Sequence, residues 1–460
     1  MNSNSYKLLD SWLAKEGLHS TNFLLDWIHE QNRALEVKIE KIHLEDSDFW
    51  IYADGRIGNK SNSFFSISGI RQFQNGILVN EQPIILQDEI GFLGIICKEI
   101  NGVFHFLMQA KIEPGNINKV QISPTIQATK SNFTQRHGGR KPAFLDYFLN
   151  AKPHEIIVDQ IQSEQSSRFY KKRNRNVILC IDAPIEESSY HKWMTLGQLK
   201  KLMRYDNLVN MDTRTVLSCI PFSLMTLEAE ELKKLEPSCN DQSLLHSLSG
   251  VANHHEITNL FSYINDYKMF YETENQLVEL YSLEHWYMEN GSFVCEHPSP
   301  FEIIFCDISI EGREVKNWTQ PLFKAKGIAT FGLICCEVNG TKEFLVKATP
   351  EIGCFDGIEL GPTIQQEAVH DEKEDAITKL FYKKLSSHEG ITIDVLLSEE
   401  GGRFYHEQNR NIIIELTNEE IPSDLPSGYF WSDFKTLNTL TQVNNCLNIQ
   451  LRNLLSLLEV

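Results

Sequence analysis

No stretch of this chain approaches the roughly 20 consecutive apolar residues that a membrane-spanning helix needs. The opening MNSNSYKLLD has neither the basic start nor the apolar core of a secretion signal. The expected setting is the cytoplasm, with no membrane partner. Cysteine pairing signals are equally scarce: the ten cysteines are scattered, none forms a CxxC, and the adjacent Cys335 and Cys336 fall in an apolar run. Reduced, buried thiols are expected, with neither disulfides nor a zinc site. Also missing are GxGxxG after a strand, GxxxxGK(S/T), HExxH and GxSxG. Nothing therefore calls for a nicotinamide, ATP, a catalytic zinc or a serine nucleophile, and no cofactor or metal is expected. Positive charge is in deficit too. A formal net charge of −19 repels a polyanion over most of the surface, which excludes general nucleic-acid binding but leaves room for a small anion in a locally basic pocket.

At 460 residues the chain exceeds one ordinary core, and it is organised as a repeat. A constant shift places Gln82 on Gln320, Gly94 on Gly332, Glu113 on Glu351, and the PTIQ of Pro124 to Gln127 on that of Pro362 to Gln365. About 18 of the 46 positions from Gln82 to Gln127 are identical, where roughly one in 15 is expected by chance. The echo continues in SEQSSRFYKKRNRN (Ser163 to Asn176) and SEEGGRFYHEQNRN (Ser398 to Asn411), then in NMDTR (Asn210 to Arg214) and NIQLR (Asn448 to Arg452). A period this long means two whole domains rather than a solenoid. They are placed at 1–222 and 251–460, with 223–250 as a linker of two short helices whose leucines pack on a domain. In each half, apolar runs flank Asn101-Gly102 or Asn339-Gly340, which predicts a β-hairpin with positive φ at both turn residues. Helical spacing follows the caps Ser20-Thr21 and Thr195. The predicted class is α+β, with helices and strands mixed in each half.

Side chains alternate faces along a strand, so Gln109, Lys111 and Glu113 project together, and Gln121, Ser123, Thr125 and Gln127 form a second polar row. On alternation alone this is the watered face of a sheet. Its composition also suits a ligand: glutamine, serine and threonine both donate and accept, and Lys111 beside Glu113 supplies a cation and a base. TKSNFTQRHGGRKP adds Lys130, Arg136, Arg140 and Lys141 around Gly138-Gly139, whereas its counterpart EAVHDEKEDAITK is acidic. Arg168, Lys171, Lys172, Arg173 and Arg175 likewise answer to Arg403, His406, Glu407, Gln408 and Arg410. The first half is thus the better electrostatic host for a diphosphate. His137 is either an acid–base group or a surface turn residue, and Asp212 with Arg214 reads equally well as a structural pair.

The combination QAKIEPGNINKVQISPTIQAT, SNFTQRHGG, SEQSSRFYKKRNRN and DNLVNMDTRTVLSC, followed by GREVKNWTQPL, IELGPTIQ, SEEGGRFYH and NIQLRNLL, resembles the NDP-hexose 2,3-dehydratases of deoxysugar biosynthesis over nearly the entire chain. The resemblance implies a homodimer whose subunit has two tandem Nudix-like α/β/α sandwich domains born of duplication. It also implies a dTDP-4-keto-6-deoxyglucose substrate and a downstream 3-ketoreductase or aminotransferase. The Nudix hydrolase signature is absent, and Ser166 stands where the family pattern calls for glycine. In the implied reaction a base removes the acidified C3 hydrogen and an acid protonates the departing C2 hydroxyl. Glu113 and His137 are the candidates for base and acid in either order, with Lys111 near the C4 oxygen. Gln109, Gln121 and Gln127 would hold hydroxyls or the base, and Arg168, Lys172 and Arg175 the diphosphate. Thr129, Ser131, Asn132, Tyr170, Asn210 and Arg214 complete the substrate-binding candidates. With Thr349 in place of Lys111, the second copy is expected to be idle. A noncatalytic sugar-nucleotide binder and a Nudix-type pyrophosphohydrolase are the competing readings.

Overall fold

The computed structural model describes residues 3–60, 64–129, 141–250, 254–311, 316–370 and 375–460. The hairpin signal holds. Asn101 (φ 53°) and Gly102 (φ 82°) join strand Gly91–Ile100 to Val103–Ile112, while Asn339 (φ 51°) and Gly340 (φ 80°) join Thr330–Val338 to Thr341–Pro350. Left-handed geometry at both positions is what a two-residue hairpin loop of this twist demands. Around each hairpin lies a seven-stranded mixed sheet. The first runs Ile156–Ser163, Arg173–Cys180, Gly91–Ile100, Val103–Ile112 and His191–Thr195, with the short Val120–Ser123 and Ile126–Ala128 on the hairpin strands. Parallel pairing of Arg173–Cys180 with Gly91–Ile100 makes it mixed, and Gln408–Leu416 repeats that pairing on Thr330–Val338.

Two six-stranded sheets complete the four found among the described residues, and these exchange strands. Val37–Ile42 pairs antiparallel with Phe301–Ile310 of the second half, and Thr273–Val278 pairs antiparallel with Ser66–Gln74 of the first. One apolar cluster accordingly draws Trp50, Ile67 and Phe169 together with Trp286, Phe301 and Phe404. Another joins the large sheets through helices Met211–Ser218 and Ile449–Ser456, which pack on each other. Each fully buried Leu or Phe contributes about 1.5–3 kcal/mol, so this shared interior, rather than the linker, fastens the halves.

The expected caps are present: Ser20 Oγ accepts from Phe23 N at 3.2 Å and Thr195 Oγ1 from Gln198 N at 3.1 Å. Residues 223–250 include helices Ala229–Leu235 and Gln242–Ser249, with Leu244, Leu245 and Leu248 fully buried. All ten cysteines are free thiols. No helix among the described residues is long and apolar enough to cross a membrane.

Candidate active site at the seam between the halves

The polar strand face of each half is closed by a loop from the other half. Gly115 donates its N–H to Gly401 O at 2.7 Å and accepts from His406 N at 2.7 Å; Gly353 donates to Ser166 O at 2.9 Å and accepts from Lys171 N at 2.7 Å. A Cβ on Gly115 would collide with the carbonyl oxygen of Phe404, and one on Gly353 with that of Phe169. Only glycine allows the backbones so close. Two buried arginines reinforce the seam: Arg214 donates to Val209 O (2.6 Å) and Ser398 O (3.0 Å), and Arg452 to Leu447 O (3.1 Å) and Ser163 O (2.5 Å).

In the first half the strand ending at Ile112 delivers Lys111 and Glu113 to one spot, where Lys111 Nζ lies 2.9 Å from Glu113 Oε1. The Glu113 carboxylate also accepts from Gln127 Nε2 at 3.0 Å. Asn210, the cap of helix Met211–Ser218, in turn reaches Gln127 Oε1 at 3.4 Å and Ser123 Oγ at 2.8 Å. Glu113 is 4% exposed, so this relay fixes its orientation away from bulk water. Around the pair stand Glu164, Lys172 and Asp212 from the first half, with Glu400 and Arg403 from the second. Burial raises the Asp212 carboxyl well above the usual range, and Glu164, Glu400 and Glu113 push it further. Burial likewise raises Glu164, helped by Glu400, and lowers Lys172 to about 8. Carboxyls shifted up and a lysine shifted down in one cluster mark it as the candidate for proton transfer.

The second half rebuilds the relay without its lysine. Gln365 Nε2 donates to Glu351 Oε1 at 3.1 Å, and Asn448 Nδ2 to Gln365 Oε1 at 2.8 Å. Thr349, in the place of Lys111, turns its hydroxyl to Lys347 O at 3.1 Å. Burial and then Glu359 lift Glu351 to about 8, and burial lifts Glu359 to about 7. Both carboxyls on this face therefore hold their protons well above the usual carboxylate range.

Several sequence candidates therefore converge and others do not. Lys111, Glu113, Gln127, Asn210 and Lys172 share the first cluster, and Gln109 precedes Lys111 on the same strand face, opposite Ser123. Gln121 bridges to Ser398 Oγ at 2.5 Å, so it and Arg214 tie the halves together. Thr125 is a staple, accepting from Ile96 N at 2.9 Å and donating to Leu107 O at 2.5 Å. Arg168 reaches across to the second half, 2.9 Å from Glu367 Oε1. Tyr170 packs with Ile84, Leu86 and Ile352. Arg175 points outward to Asp159 at 2.6 Å, as Arg410 does to Asp394. Thr129 is partly buried at the end of the described stretch; Ser131, Asn132 and His137 lie outside the described residues. Sequence reasoning missed Glu164, Glu400 and Arg403. For Glu400 the signal was a difference in charge between the copies, Glu400 against Gln165; Glu164 and Arg403 are matched by Glu399 and Arg168 and carried no such signal.

Fold and repeat together define an internally duplicated protein whose polar, charge-rich cluster sits where its halves interlock. The family model described as NDP-hexose 2,3-dehydratase matches residues 21–220 and 257–458. A dTDP-4-dehydro-6-deoxy-alpha-D-glucopyranose 2,3-dehydratase of Saccharopolyspora spinosa is 34% identical over 479 aligned positions, covering 99% of this chain and 95% of the relative. Its namesakes in Streptomyces violaceoruber and Amycolatopsis orientalis are 34% and 32% identical, each over 94% of this chain and over 95% and 88% of their own. The chain belongs to the NDP-hexose 2,3-dehydratase family, and is a carbon–oxygen lyase of deoxysugar metabolism.

Proposed function

We propose that the first-half cluster converts dTDP-4-keto-6-deoxyglucose to the 3,4-diketo-2,6-dideoxy sugar. The supporting observation is the Lys111–Glu113 pair, held by the Gln127–Asn210 relay and shorn of its lysine in the other copy. Glu113 takes the C3 proton, which the C4 carbonyl acidifies, and the Lys111 ammonium meets the negative charge growing on the C4 oxygen. The C3 electrons then form the C2–C3 double bond as the C2 hydroxyl leaves with a proton, and the enol tautomerises. No electrons are gained or lost. The diphosphate falls to Lys172 and to Arg403, which takes the role that sequence position gave to Arg168; Arg403 lies 4.2 Å over the Phe65 ring, with Nη2 3.3 Å from Gln87 Oε1.

The family resemblance also supports Nudix-like halves, a homodimer, a cytoplasmic setting and a 3-ketoreductase or aminotransferase that consumes the diketone. Incubation with dTDP-4-keto-6-deoxyglucose, followed by mass spectrometry, should show loss of one water with the nucleotide intact. Release of thymidine monophosphate, or an unchanged sugar, refutes the reading.

A further inference from the structure

The second half carries an anomaly that its own polar face does not explain. Its SEEGG loop and the SEQSS loop of the first half are repeats of each other, yet they differ at one titratable position, Glu400 against Gln165. Each loop is hydrogen-bonded to the opposite half. The hydrogen bonds of Gly115 to Gly401 and His406 seat the turn that carries Glu400 beside the turn that carries Glu113. Glu400 keeps some exposure, and the charges that act on its carboxyl most strongly are Arg403, Glu113, Lys111 and Lys172, all belonging to the first-half cluster. Gln165, by contrast, is 2% exposed and cannot carry a proton at neutral pH. Drift of an idle copy would not by itself place the extra carboxyl in that copy; supply of the active site from the opposite half does.

We propose that Glu400, carried by the second half, is a catalytic acid of the first-half site and hands its proton to the departing C2 hydroxyl. This rests on the dehydratase reading above. The C2–O bond breaks as the C2–C3 double bond forms, the hydroxyl leaves as water with the Glu400 proton, and the carboxylate left behind is reprotonated from solvent. Burial of the carboxyl raises it and Glu113 adds to this, while Arg403, Lys111 and Lys172 oppose, so that Glu400 holds its proton more firmly than a free carboxyl. It also gives the duplication a purpose. The second half is kept because the first is incomplete without it.

The test uses the full chain with Glu400→Gln and dTDP-4-keto-6-deoxyglucose in deuterated water. Turnover to the diketone should fall about 10²–10⁴-fold, the range for loss of an acid–base group. Deuterium should still enter at C3, because Glu113 and Lys111 remain, and that exchange also certifies a folded, occupied site. Water loss within about threefold of wild type overturns the assignment. So does equal loss of exchange and turnover, which would make Glu400 the base or a scaffold. A wild-type protein that leaves the sugar unchanged would instead remove the dehydratase reading, and this proposal with it.

Discussion

Substituting alanine at the two seam glycines separates the architecture from the chemistry. In Gly115→Ala the new methyl overlaps the carbonyl oxygen of Phe404, so the 401–406 turn must retreat and both 2.7 Å hydrogen bonds are lost. Two backbone hydrogen bonds are worth about 0.5–1.5 kcal/mol each, and forced overpacking adds about 1–3 kcal/mol, giving a destabilisation of about 4 kcal/mol. Because the halves exchange strands, the chain should unfold as one unit. At about 2.1 cal/mol/K per residue, the unfolding entropy of 460 residues is about 1 kcal/mol/K, and the melting temperature falls by about 4 °C. Gly353→Ala meets Phe169 O in the same way and should cost a similar amount. Kinetics then distinguish them. At a temperature where both variants are folded, Gly115→Ala should lose more turnover because it shifts Glu400 and Arg403 together, whereas Gly353→Ala shifts the turn between Glu164 and Lys172 and should lose less. Calorimetry and a water-loss assay read both quantities. Unchanged melting for either variant, or equal turnover in the two, would refute the reciprocal-latch argument.

Arg214→Met strips two buried carbonyls of their donor and should cost about 3 kcal/mol by denaturant midpoint. Arg175→Ala breaks a surface pair with a half-exposed arginine, so stability should change by less than about 1 kcal/mol and turnover not at all. Stability should also fall as pH rises from about 5 to 7. Glu351, Glu359 and Glu407, raised by burial to about 8, 7 and 8, stay protonated in the fold after ionising in the unfolded chain. Their stabilisation is complete below the unfolded carboxyl range and disappears through their folded values. His191, lowered to about 4 by burial, opposes this below about 6.5 but is outnumbered. Lys200 and Lys172, lowered to about 7 and 8, act only above that window. A flat or rising melting temperature from pH 5 to 7 would contradict these shifts.

Duplication, hairpin turns, helix caps and the polar face of Lys111 and Glu113 were all legible, because each is a local pattern: identity at fixed spacing, Asn-Gly between apolar runs, alternation along a strand. The pairing of loops was not. Reading along the chain keeps Arg168 beside Glu113, but sheet pairing sends it to Glu367, while Arg403 of the other half reaches Gln87. Edge strands such as Val37–Ile42 choose partners more than 200 residues away, and alternation says which way a side chain faces without naming the strand beside it. Arg175 misled for a related reason. A run of basic residues on a strand splits between its two faces, and this one belongs to the outer face with Asp159.

The central claim, that chemistry takes place on the polar face of the first copy and not on that of the second, is met most directly by comparing Glu113→Gln with Glu351→Gln in full-length protein, following C3 deuterium exchange and water loss from dTDP-4-keto-6-deoxyglucose. Glu113→Gln should abolish both, while Glu351→Gln, replacing a carboxyl already protonated near neutral pH, should keep both near wild-type rates. Full activity in the first variant with loss in the second would contradict the account.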